Sequence, residues 1–179
     1  MRADALQRRE RIVGAARELF ATRGRDISLG SVAERAGVGI GTLYRNFSSR
    51  EELVRAVAMA VMGDLVASVK EVGQRSAEPE AWRELIRSLA RLNLGAFTDV
   101  QAVVLDDDVA AEQQRALAKL EELLASFQRA GVVRGEVDAQ EMIVALAIIT
   151  RPQPEAIVHA APNVADTLLE SYIQWTELR

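Results

Sequence analysis

The chain has 179 residues, with 22 basic and 26 acidic groups, a formal net charge of −4 and no cysteine. That length suffices for one large domain or a small one joined to a larger, and 49% apolar residues can build a core. The lack of cysteine excludes a disulfide framework, a thiolate metal site and a cysteine nucleophile, and it fits a reducing compartment. Aromatics are 4% of the chain while alanine, leucine and valine dominate, which favours helix over sheet. The opening "MRADALQRRERIV" scatters charge where a secretory signal needs an apolar block. Every apolar run falls well short of the ~20 residues of a membrane span. The expectation is a soluble, cytoplasmic protein with no membrane partner. Charge is unevenly spread: residues 1–50 carry ten arginines against five acids, and residues 51–179 carry 12 basic and 21 acidic groups. A basic head on an acidic body suggests that the head alone meets a polyanion.

Ile12, Ala15, Ala16, Leu19 and Phe20 recur at helical spacing, predicting an amphipathic helix that Gly24 stops. A short helix follows, with Ser28 as N-cap, through Val32 and Ala33 to Ala36, and Gly37 breaks it. A third runs from Ile40 to Phe47 and buries Leu43 and Phe47. In "SSREE" at 48–52, Ser49 with Glu52 three residues on predicts a capping box. It opens a long helix to about Val72, with Leu53, Val57, Val61, Leu65 and Val69 along one face. Pro79 stands near the start of the next helix, which carries Trp82, Leu85, Ile86, Leu89 and Leu92. The run from 104 to 131 is one helix closed by Gly131. Asp138 and Glu141 predict a second capping box, "MIVALAII" continues that helix, and "RPQPE" ends it. A last helix from about Asn163 puts Val164, Leu168, Tyr172 and Trp175 on one side. The expected fold is all-α, with about nine helices.

Two short helices joined by a tight glycine turn make a helix-turn-helix unit. Ala33 is small where the second helix crosses the first, Gly37 takes the turn, and Leu43 pins the second helix to the core. With these residues in place, "ISLGSVAERAGVGIGTLYRNFSSREEL" resembles the DNA-binding domain of the TetR family of bacterial transcriptional regulators, over roughly residues 8–57. The resemblance implies a three-helix head at 1–49 and a helical ligand-binding and dimerisation body at 50–179. It implies a homodimeric repressor on a palindromic operator in double-stranded DNA, released by a small-molecule effector of unknown identity. No cofactor is implied.

The glycines then gain a reason. The second helix of such a unit enters the major groove with its N-terminal residues at the base edges. Gly39 and Gly41 let that backbone lie close to phosphate, at about 1 kcal/mol of helix propensity per interior glycine. By position in the family motif, Thr42 and Tyr44 reach phosphate or base, Arg45 reaches guanine, Asn46 contacts backbone and Arg50 holds a phosphate. Ile40 stands against a thymine methyl. Ser28 and Ser31 touch phosphate, or Ser28 serves only as a cap. Gly30 and Gly39 carry no side chain where some members read bases. Part of the specificity is therefore expected from DNA shape and from Arg2, Arg8, Arg9 and Arg11, whose alternative is a solvated helix face.

In the body, Met142, Leu146 and Ile149 together with Leu168, Tyr172 and Trp175 form the expected dimer interface, with Ile143 and Ile173 adding apolar surface. The alternative for each is ordinary core. Trp82, Leu89, Phe97 and Phe127 are candidate walls of an effector pocket, with Asn93, Arg91 or Thr150 as polar anchors; core or surface is the competing reading. Asp106, Asp107 and Asp108 either attract a cation or start a helix, where acids are favoured. His159 is the only histidine and has no partner at metal-ligand spacing. An enzyme finds little machinery here: one histidine, no phosphate-cradling glycine loop and no H-E-x-x-H helix. A helical protein–protein module would leave Arg45 and Arg50 without a polyanion to meet.

Overall fold

The computed structural model describes residues 2–24, 27–95 and 106–178. Among these residues there are nine α-helices: α1 Arg2–Arg23, α2 Leu29–Arg35, α3 Ile40–Asn46, α4 Arg50–Gly73, α5 Pro79–Arg91, α6 Asp107–Arg129, α7 Ala139–Ile149, α8 Glu155–Ala160 and α9 Val164–Thr176. The described residues form no sheet, only an isolated antiparallel bridge between Val133 and Glu177.

The first three helices close around one apolar centre. Ile12, Ala16, Phe20, Val32, Leu43 and Phe47 are all buried there. Gly24 ends α1 at φ +66 and Gly37 follows α2 at φ +64, the left-handed conformation that a Cβ disfavours. After α2, Val38 N–H bonds Ala33 C=O at 3.0 Å and Gly37 N–H bonds Glu34 C=O at 3.1 Å. This pair of bonds is a Schellman motif, which satisfies the orphan carbonyls and turns the chain sharply into α3. Gly131 closes α6 in the same way, at φ +71. Replacing Gly37 with valine is expected to cost about 1–2 kcal/mol through the forced left-handed backbone. The measurement is the denaturation midpoint of the full chain, with valine at the open Gly135 as control.

Helix α4 joins the two parts. It packs on α1 and also on α5 and α6. Its inward residues Leu53, Val57, Val61, Leu65 and Val69 are buried, as the spacing predicts. Ser49 Oγ accepts from Glu52 N–H, but the Glu52 carboxylate returns to Ser48 N–H and Oγ, one residue earlier than a capping box requires. At Asp138, the side chain accepts from Glu141 N–H as expected.

The body is centred on Trp82, whose ring centroid lies 5.4 Å from that of Phe127 and whose Nε1–H donates to Thr176 Oγ1 at 2.8 Å. Helix α9 and the residue that caps it are tied to α5 by Arg87 on Glu170 and Arg83 on Glu177, each a two-bond pairing. Gly95 is needed for close approach: a Cβ there would lie 2.0 Å from Ala147 C=O. Its N–H meets Thr150 Oγ1 at 3.3 Å.

Two sequence expectations change. The segment after "RPQPE" carries the short helix α8, exposed along its length, with His159 inside it. The helix expected from 104 has its N-cap at Asp106, with residues 104 and 105 outside the described residues.

Candidate nucleic-acid interface

Helix α3 is seven residues long and its N-cap Gly39 offers no side chain, so its placement rests on Leu43 and Phe47, both fully buried. With those two inward, Gly39, Ile40, Gly41, Tyr44 and Arg45 face solvent, and Thr42 and Asn46 lie half-buried at the edge. Ile40 is 46% and Tyr44 52% exposed, unusual for large apolar-bodied side chains on so small a domain. Gly39 has φ −68, and a Cβ added to Gly39 or Gly41 would meet no atom within 4 Å. Neither backbone strain nor packing within this chain therefore demands glycine at the two positions.

The polar groups of this face are arranged locally. Arg45 Nη2 donates to Thr42 Oγ1 at 2.9 Å, and Asn46 Nδ2 donates to Thr42 C=O at 2.8 Å. Ser28 Oγ accepts from Ser31 N–H at 3.0 Å and caps α2, while Ser31 Oγ donates back to Ser28 C=O at 2.8 Å. Arg50 does not stand clear of the surface. It is half-buried, Nη1 donates to Ile27 C=O, and the guanidinium lies 5.9 Å from the Phe20 ring centroid. It thus links the first turn of α4 to the residue just before Ser28. Of the N-terminal arginines, Arg11 is exposed, Arg8 is half-buried, and Arg9 is turned into the head; the side chain of Arg2 lies outside the described residues.

The body places the other expected residues differently. Met142 and Leu146 are fully buried in their own chain, which corrects their assignment to a subunit interface, since a partner cannot touch them. The outward apolar residues of α7 are Val144 at 51% and Ile148 at 67% exposure; Ile149 is half-buried. On α9, Val164, Leu168 and Trp175 are exposed at spacings of four and seven residues, and Tyr172 is half-buried. Burial, with Glu141 and Asp138 nearby, pushes the Tyr172 hydroxyl up to about 12. Helices α7 and α9 pack together, so these residues lie on adjoining helices.

Trp82, Leu89 and Phe127 are fully buried and pack as core. Asn93 has φ 53 just beyond the α5 C-cap, and its amide donates to Arg91 C=O at 3.3 Å, which makes it a helix stop. Thr150 Oγ1 donates to Leu146 C=O at 2.8 Å. Phe97 lies outside the described residues. The aspartate run is a helix start: Asp106 caps α6 through Val109 N–H, and that bond, with Arg55, holds its carboxyl below the usual range. Arg55 of α4 bonds both Asp106 and Asp108, at 2.5 and 2.7 Å. Among the described residues no three His, Cys, Asp or Glu side chains cluster as metal ligands, and no helix is long and apolar enough to cross a membrane.

Residues 12–57, which hold α2, α3 and the turn between them, match the family described as "Bacterial regulatory proteins, tetR family". Residues 78–174 match "Transcriptional regulator SbtR-like, C-terminal domain". The chain belongs to the TetR family. Its fold superposes on the TetR transcriptional regulator SCO0520 from Streptomyces coelicolor with a TM-score of 0.67 at 27% identity, over 95% of this chain and 98% of that one. A TetR transcription regulatory protein from Mycobacterium vanbaalenii superposes with a TM-score of 0.65 at 30% identity, over 95% and 97%. HTH-type transcriptional regulator SAB2452 of Staphylococcus aureus is 34% identical over 73 residues, 40% of this chain and 40% of that protein. The match to the curated relatives thus spans about two-fifths of their length. As a TetR regulator, the protein is a DNA-binding transcription regulator, and α2, the turn and α3 form its helix-turn-helix.

Proposed function

We propose that this TetR regulator is a homodimeric cytoplasmic repressor that binds a palindromic operator and leaves it when a small molecule occupies the body. It performs no catalysis. The observation that carries the DNA reading is the outward face of α3, with two glycines that nothing in the chain requires beside exposed Ile40, Tyr44 and Arg45. Gly39 and Gly41 admit a phosphate backbone, Ile40 meets a thymine methyl, Thr42 and Tyr44 meet phosphate or base edges, and Asn46 contacts the DNA backbone. Arg45 reads guanine. Ser28, Ser31 and Arg50 add phosphate contacts at the start of α2 and α4. The head ends at Ser49 and the body begins at Arg50.

Dimerisation is supported by Val144, Ile148, Val164, Leu168 and Trp175, exposed on adjoining helices. Two-fold pairing sets two recognition helices on successive major grooves, so the operator repeats with inverted symmetry. Effector release follows from linkage: a ligand that favours a body holding the heads wrongly spaced must lower DNA affinity by the same coupling factor. Among the structural neighbours, LfrR from Mycobacterium smegmatis was crystallised with proflavine, and it shares this fold at 21% identity.

The test is selection from random duplex by the purified protein at moderate salt. A palindromic enriched site supports the proposal. Folded protein that enriches nothing overturns it and favours a protein–protein module. Arg45→Ala is expected to relax base preference at one position per half-site, by about 1–3 kcal/mol of discrimination. Unchanged preference in the same selection would place the recognition contacts elsewhere.

A further inference from the structure

The recognition helix has a weak beginning and a well-held end. Its first turn lacks a side-chain cap, and seven residues are too few for a helix to persist on propensity alone. At the other end, Arg9 of α1 lies with its guanidinium carbon 4.0 Å from the Phe47 ring centroid. Arg9 Nη1 donates to the Asn46 carbonyl at 2.6 Å and stands 3.6 Å from Glu52 Oε1. The other Glu52 oxygen accepts from Ser48 N–H at 2.8 Å and from Ser48 Oγ at 3.0 Å. The Ser48 backbone and hydroxyl bonds, with Arg9, hold the Glu52 carboxyl below its usual range. One guanidinium thereby joins three elements: the last residue of α3, the aromatic anchor that follows it, and the first turn of α4.

We propose that Arg9 is a positioning residue for DNA recognition, fixing the tilt and rotation of α3 from its C-terminal end rather than contacting DNA itself. The physical basis is threefold. A cation satisfies a terminal helix carbonyl and complements the negative end of the helix dipole. The flat guanidinium covers the face of Phe47, the residue that seats α3. Glu52 orients that guanidinium and couples it to the chain turn between α3 and α4. An error of one ångström in the placement of α3 would misalign Arg45 and Ile40 with base edges together. Arg9 is thus set apart from a phosphate-binding arginine, whose loss removes charge from the interface and leaves the helix where it was.

This inference rests on the DNA reading of α3, and its test separates the two. Wild-type, Arg9→Ala and Arg9→Lys full-length proteins are compared by amide hydrogen exchange without DNA, and by operator affinity across a salt series. In Arg9→Ala the Phe47 amide, bonded to Leu43 C=O at 2.8 Å, is expected to exchange faster, while α6 amides keep their protection. Operator affinity is expected to fall about tenfold or more, the scale of a lost charge-assisted hydrogen bond. The salt slope stays as in wild type, and base preference flattens across the half-site. Lysine restores part of both effects, because it donates to the carbonyl without covering the ring. Unchanged exchange at α3, or a salt slope shallower by about 0.9 with base preference intact, overturns the proposal; the second result means a phosphate contact. If Arg9→Ala does not fold, Glu52→Gln loosens the same hold and must move α3 exchange in the same direction. If wild-type protein selects no DNA, the DNA reading fails, and the exchange comparison still decides whether Arg9 holds α3.

Discussion

Replacing Ile148 and Leu168 together with glutamate is expected to split the proposed dimer and lower operator affinity by on the order of a hundredfold or more. Ile148 is 67% and Leu168 50% exposed in the single chain, so both substitutions leave the core untouched. Their acids fall on the adjoining helices α7 and α9, where a two-fold contact would bring each beside its mate. An unpaired carboxylate has no favourable place in an apolar contact, and two per subunit make the association untenable. Loss of the second head removes the gain from tethering, which commonly amounts to about 10² to 10⁴ in apparent affinity. Sedimentation velocity reads the oligomeric state, and operator titration reads the affinity. A variant that remains dimeric and binds normally would show that the α7–α9 face is not the contact.

The largest effect on stability is expected at Trp82. Trp82→Ala should destabilise the full chain by about 3–5 kcal/mol, the range for truncating a buried aromatic. The ring is fully buried against Phe127, and Thr176 accepts its N–H. Trp82→Phe keeps most of the packing and removes the donor, so about 1 kcal/mol is expected for that change. Thr176 Oγ1 still donates to Ile173 C=O at 2.7 Å and is not left without a partner. Urea denaturation of both variants gives the two values. If Trp82→Ala costs well under 2 kcal/mol, the side chain bounds open space, as a ligand wall would, and the core assignment is wrong.

Polar contacts also tie α4 to its neighbours at both sides of the junction between head and body. Arg50 ties the first turn of α4 to Ile27, and Arg55, little more than one turn on, grips Asp106 and Asp108 at the start of α6. These ion pairs are at least partly exposed, and each contributes little on its own.

By itself the sequence determined eight of the nine helices among the described residues, nearly to their caps, and the inward sides of α1 to α5; it missed the short α8. It also determined the helix-turn-helix with Gly37 at its turn. Each of these is a local matter: a left-handed turn needs glycine, a cap needs a short polar side chain, and a one-sided helix declares its buried face by spacing. The outward face of α3 was legible for the same reason, since Leu43 and Phe47 leave Ile40, Tyr44 and Arg45 no inward place. Only the tertiary structure decided the outward side of α7. "MIVALAII" is apolar all round, so spacing cannot tell Met142 and Leu146, which are buried, from Val144 and Ile148, which are not. It alone showed Arg9 on Phe47, Arg55 on Asp106 and Gly95 against Ala147, contacts between residues 38 to 52 positions apart. A charge or a glycine carries no mark in the sequence of the group that will face it. That partner is chosen by how the helices cross, and the crossing depends on the whole core.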